Sequence, residues 1–131
     1  MIVMPAKILI VEDEIIIGME TEAMIEDLGH TSLGIAATAD EALQIADDEL
    51  PDIAFVDVNL ADGPTGPKVG AELAMRGVAV VFVTANPRTI QNKIANAIGM
   101  LEKPMDEAEL SEVIAFLTAQ TAEPPARMRL F

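Results

Sequence analysis

The chain has 131 residues, a formal charge of −14 and 51% hydrophobic content, enough for one domain with a filled core. With 3% aromatic residues and no cysteine, Ile, Val, Leu, Ala and Met must do the packing, and disulfides, thiolate metal sites and thiol catalysis are excluded. The acidity argues against a nucleic-acid surface, no apolar run approaches the ~20 residues of a membrane span, and MIVMPAK is too short and weakly charged for a secretory signal; a cytoplasmic protein is expected.

In chain order, short β-rich runs are predicted at 7–11, 32–36, 52–57, 78–84 and 99–102. Helical spacing is predicted between and after them, at 14–28, 40–49, 66–76, 88–97 and 106–119. In the first of these, Ile16, Met19, Ala23 and Met24 recur at i, i+3, i+4 intervals, with Leu28 one turn on. Asp40 and Asp106 are candidate N-caps, and Gly29, Gly77 and Gly99 stand where helices should stop. Five strands alternating with five helices imply a doubly wound parallel sheet, with the doubly apolar VAVVFV as a central strand. No internal repeat is seen, and no second domain is expected within these residues. The domain is expected over 1–119. Residues 120–131 (QTAEPPARMRLF) are expected to be a flexible C-terminal tail, although Arg127, Arg129, Leu130 and Phe131 leave room for docking.

In an open parallel sheet, ligands bind beyond the carboxyl ends of the strands. The polar residues at those ends are Glu12 and Asp13 after the first strand, Asp57 after the third, Thr84 closing the fourth and Lys103 after the fifth. Carboxylates crowded at one rim repel, a like-charge pair at 4 Å costing about 4 kcal/mol at an effective dielectric near 20. A divalent cation turns that penalty into attraction. An all-oxygen donor set favours Mg²⁺, or Mn²⁺, over zinc. His30, following Gly29, reads as a surface loop residue.

The acid pair Glu12-Asp13, Asp57 in FVDVNL, Thr84 in FVTA and Lys103 in EKP together resemble the receiver domain of two-component response regulators, over about 6–119. The resemblance implies a flavodoxin-like (βα)5 fold and a phosphoacceptor at Asp57. It implies Mg²⁺ held by Glu12, Asp13, Asp57 and the backbone carbonyl of Asn59. Thr84 and Lys103 would bind the phosphoryl group, and Lys103-Pro104 matches a bond the family holds cis. The chain departs from the family at Met100, where an aromatic switch residue is usual, and in the short interval from Thr84 to Lys103, which implies a truncated or irregular fourth helix. That short helix also resembles a branch of stand-alone receivers common in alphaproteobacteria.

The function expected is a single-domain response regulator that takes phosphate from a histidine kinase or phosphotransfer protein. It would signal to a downstream protein by contact or act as a phosphate sink, without being an enzyme beyond its own phosphorylation and dephosphorylation. No output domain follows in the sequence, so direct transcriptional control is not expected. A haloacid-dehalogenase-like phosphatase would place its Asp-x-Asp after the first strand, whereas here the nucleophile candidate closes the third. A receiver-shaped adapter that is never phosphorylated would have no need of the complete acid pocket.

Overall fold

The computed structural model describes residues 5–86, 88, 90, 94 and 96–131. Its elements, in chain order, are β1 (Lys7–Val11), α1 (Ile15–Asp27), β2 (Thr31–Ala36), α2 (Ala39–Asp48), β3 (Ile53–Val56), α3 (Gly66–Met75), β4 (Ala79–Thr84), β5 (Gly99–Glu102), α4 (Glu107–Leu117) and β6 (Arg129–Leu130). The strands form one sheet in the order β2-β1-β3-β4-β5-β6, parallel except for the antiparallel β5–β6 pair. This is the expected doubly wound, flavodoxin-like α/β sheet with one strand added at its edge. The predicted helix at 88–97 falls largely outside the described residues.

Alternation along the strands decides which helices cover which face. Leu9 and Val11 of β1 join Ala42 and Ala46 of α2 and Val69 and Leu73 of α3 in one core cluster. Ile8 and Ile10 point the other way, to Ile25 of α1 and Leu110, Val113 and Ile114 of α4. Both clusters are fully apolar, and the central strands β3 and β4 contribute to each, as their continuous hydrophobicity requires.

Three local expectations are corrected. On α1, Ile16 is 69% and Met19 57% exposed, and Ala23 is exposed too, while Gly18 and Ile25 are buried. The helix is apolar around most of its circumference, so spacing alone left its inward face undecided. A Cβ at Gly18 would lie 2.9 Å from Ile35, and this close approach to β2 sets the rotation. The cap of α2 is Thr38, whose side chain accepts from Glu41 N; Asp40 lies in the first turn, where its charge favours the helix dipole. Asp106 does cap α4. Gly29 and Gly77, with φ of 87° and 91°, follow α1 and α3 as C-terminal stops, but Gly99 opens β5.

The larger correction concerns 120–131, expected as a flexible tail. Arg129 and Leu130 pair with Met100 and Gly99, and Phe131 N donates to Ile98 O at 3.0 Å. Met128 is buried beside Leu101 and Leu110, and the Phe131 ring lies 6.2 Å from that of Phe82. A Cβ on Gly99 would stand 2.4 Å from the Arg129 carbonyl oxygen, so glycine there lets the last strand close on β5. The tail's apolar residues are few and irregularly spaced, which hides this docking from periodicity.

Candidate functional site

The strand order reverses between β1 and β3, and this switch point is where an open α/β sheet leaves a crevice for ligands. Glu12 and Asp57 stand one residue beyond β1 and β3, yet both remain in the ladder. Glu12 N donates to Ala36 O at 2.8 Å and Asp57 N to Val11 O at 2.9 Å. Lys103 is tied in the same way after β5, its N donating to Thr84 O at 2.8 Å. Regular backbone bonding thus aims three charged side chains from the sheet's carboxyl edge into one space.

Carboxylate oxygens of Glu12, Asp13 and Asp57 lie within 4.8 Å of one another. Lys103 Nζ donates to Asp57 Oδ2 at 2.9 Å and also bonds Glu12 Oε1. The other oxygens are engaged by backbone: Glu14 N donates to Glu12 Oε2 at 3.2 Å and Val58 N to Asp57 Oδ1 at 2.7 Å. Burial pushes the Glu12 carboxyl above its ordinary value of 4.5, against the opposing pull of Lys103 and the Glu14 amide. For Lys103, burial acts to lower the pKa, but the bonds to Glu12 and Asp57 outweigh it and hold the ammonium above its ordinary 10.5. The lysine therefore serves as the site's own counter-charge. The three oxygen donors suit a hard divalent cation, and Asp13, exposed at the mouth, is the acid that Lys103 does not bond.

The remaining expected residues are placed less uniformly. Asn59 is exposed in the loop two residues past Asp57. Thr84 is buried, and its hydroxyl is turned to the backbone of Asn86, accepting from N at 3.1 Å and donating to O at 3.3 Å. Lys103-Pro104 is cis, and Met100 is buried in the cluster that holds Phe82 and Ile90. His30 Nδ1 accepts from Ala6 N at 3.0 Å, a structural contact away from the acids. A cleft of ≈ 120 Å³ opens beside the acids, lined among others by Thr21, Met24, Asp57, Lys103 and Met105.

Two features escaped sequence reading. The contact of Lys103 with Glu12 as well as Asp57 depends on strand order, which short motifs do not carry. Gly66, at the start of α3, donates its N to Val58 O at 3.0 Å, and a Cβ there would fall 1.9 Å from the Asp57 carbonyl oxygen. Only glycine lets α3 begin against the Asp57 turn; the available signal was its place in the Gly- and Pro-rich run ADGPTGPK.

The sequence matches the response regulator receiver domain over residues 8–115. It is 38% identical over 115 residues to the phyllosphere-induced regulator PhyR of Methylorubrum extorquens, covering 86% of this chain and 43% of that protein. It is 28% identical over 123 residues to the transcriptional regulatory protein PdtaR of Mycobacterium tuberculosis, covering 91% and 60%. The chain thus spans about half the length of these curated relatives. Among solved structures, the PhyR receiver domain of Erythrobacter litoralis superposes with a TM-score of 0.79 at 28% identity, covering 93% of this chain and 96% of that one. PhyR from Brucella abortus gives 0.70 at 31% identity, covering 86% and 52%. Sequence, sheet order and the acids at the switch point agree: the chain belongs to the response regulator receiver domains of two-component signalling.

Proposed function

We propose that Asp57 accepts a phosphoryl group from a histidine kinase or phosphotransfer protein, and that the chain passes the signal on by protein contact or drains the kinase as a phosphate sink. The observation that carries this reading is the Lys103 ammonium bridging Asp57 and Glu12 beside Asp13 at the switch point. In the transfer, an Asp57 carboxylate oxygen bonds to phosphorus. The bond from phosphorus to the donor nitrogen breaks, and its electron pair stays on the departing imidazole. Lys103 exchanges its Asp57 partner for a phosphoryl oxygen, and the Thr84 hydroxyl turns from Asn86 to another. Val58 N keeps the Asp57 side chain oriented through the oxygen that does not react.

Receiver domains bind Mg²⁺ at an acidic site, and they are signalling domains rather than enzymes in the usual sense. Asp13, Asp57 and the Asn59 carbonyl would hold the ion here, with Glu12 reaching it through water. Bound there, the ion would offset charge on the transferring group. Ile15, Ile16 and Met19, at 60%, 69% and 57% exposed, form an apolar strip at the start of α1 beside the acids, and supply a docking surface for the phosphodonor protein. The setting expected for this exchange is the cytoplasm; no helix among the described residues is long and apolar enough to cross a membrane.

The test is intact-mass measurement after treatment with acetyl phosphate and Mg²⁺. One labile phosphoryl group should appear, and Asp57→Asn should carry none. Equal labelling of that variant removes Asp57 from the scheme. Sustained turnover of a generic phosphate monoester would instead favour a phosphatase.

A further inference from the structure

The tail that docks on β5 also reaches the turn that carries Lys103. Arg127 Nη2 donates to the carbonyl oxygens of Glu102 at 3.1 Å and Pro104 at 3.0 Å, the two residues flanking Lys103. The same guanidinium grips Glu109 with two donors, Nε to Oε2 at 2.8 Å and Nη2 to Oε1. Glu109 is itself placed, because its backbone N is capped by Asp106 at 2.8 Å in the first turn of α4. Arg127 is fixed from its own side as well. Met128 N donates to Pro125 O at 3.0 Å, Met128 is buried, and β6 follows immediately.

The Lys103 turn is therefore held from two directions. From β4, the Thr84 carbonyl takes the Lys103 amide; from the outer edge, Arg127 takes the carbonyls on either side. β5 has four residues and β6 two, so ladder bonding alone leaves the turn lightly tethered on its outer side. We propose that Arg127 is a positioning residue for Lys103, acting through the backbone of the Glu102–Pro104 turn and not through contact with the phosphoryl group. The inference deepens the phosphoacceptor reading and rests on it for its main readout. Nη2 shares its two hydrogens among both carbonyls and Glu109 Oε1 while Nε holds Oε2, a planar reach over two nitrogens that a lysine ammonium lacks. Small displacements of a positioning group by about 1 Å can cost up to ~10²-fold in rate.

The experiment is a double-mutant cycle in the full chain: wild type, Arg127→Ala, Lys103→Ala and the double variant, with Arg127→Lys alongside. Initial rates of labelling by acetyl phosphate are measured at saturating Mg²⁺, and thermal midpoints confirm folding. Arg127→Ala should label roughly 10-fold more slowly, Arg127→Lys should recover only part of that loss, and the double variant should be no slower than Lys103→Ala. Losses that multiply in the double variant, or full rescue by lysine, overturn the proposal in favour of a generally stabilising contact. If Arg127→Ala does not fold, Glu109→Gln takes its place, with a slowing of about 3-fold on the same cycle expected from a loosened fork. Labelling of Lys103→Ala at the wild-type rate would leave Arg127 nothing to position and overturns the proposal. If wild type is not labelled, or Asp57→Asn labels equally, the phosphoacceptor reading has failed. The clamp is then read from the Lys103 ε-methylene proton signals. Inequivalent signals in wild type that merge in the Arg127 variant uphold it, and unchanged signals overturn it.

Discussion

Glu12 and Asp57 close strands whose residues from Ile8 to Val11 and from Ile53 to Val56 are all buried, with parallel neighbours on both sides. Lys103 closes β5, a strand of four residues whose outer neighbour is the two-residue β6. The acids thus rest on the interior of the sheet, and the base on its margin. The carboxylate half is organised by the sheet itself, while the lysine half borrows order from the C-terminal segment and its arginine. Marginal elements are the ones that open first and that switching can exploit.

The largest effect is expected on the acid side. Gly66→Ala would drive a Cβ against the Asp57 and Val58 backbone, which cannot yield as a side-chain tip can. A loss of about 3 kcal/mol is expected, read from urea midpoints, together with loss of the stabilisation by Mg²⁺. Gly70→Ala is the control. Its Cβ would meet the Phe82 ring at 2.4 Å, in the core and away from the acids, so stability should fall while the Mg²⁺ response survives. Equal Mg²⁺ responses in the two variants would mean that the Asp57 turn does not depend on that close approach.

On the lysine side, Phe131→Ala should cost about 1–2 kcal/mol, as expected for a partly buried aromatic residue. Its sharper signature lies in hydrogen exchange. The amides of Met100 and Leu101 should exchange faster, while those of Leu9 and Phe55 keep their protection. Uniform acceleration across the sheet would erase the distinction between margin and interior.

A smaller effect separates the acids from one another. At a Mg²⁺ concentration ten times its dissociation constant, wild type should gain about 1.4 kcal/mol. Asp13→Ala should gain almost nothing and be slightly more stable without metal, because a repelling charge is gone. A midpoint shift equal to that of wild type would place the ion elsewhere.

The smallest effect is a slope. Burial raises the Glu12 pKa in the folded protein above the ordinary 4.5 of the unfolded chain, so the folded state holds that proton more tightly. Its contribution favours folding at low pH and is lost as the pH rises through the folded value. In metal-free buffer, Glu12→Gln should therefore gain on wild type as the pH climbs past 4.5, measured as the difference between their thermal midpoints. A constant difference across that range would mean that Lys103 neutralises the burial cost completely.

How much of this was legible beforehand varies with the range of the force involved. The alternation of apolar runs and helical spacing located β1 to β5 and the helices at α1, α2, α3 and α4 to within a residue or two, because burial on a period of two or 3.6 is written locally. Glu12, Asp57 and Lys103 could be assigned to one rim because each follows a strand directly, and the ladder carries their side chains to the same edge. The inward face of α1 could not be read, since Ile15, Ile16 and Met19 look as buriable as Ile25 until Gly18 meets β2.

Composition and local periodicity suffice for an acidic, cysteine-free α/β domain with carboxylates and a lysine at strand ends. The bridge from Lys103 to Glu12 and Asp57, the need for glycine where α3 touches the Asp57 turn, and the return of the last residues as a strand emerge from the folded chain alone. Each of those depends on which strand lies beside which. That adjacency is settled by burying both sheet faces at once, a condition on the whole chain that no short stretch of residues records.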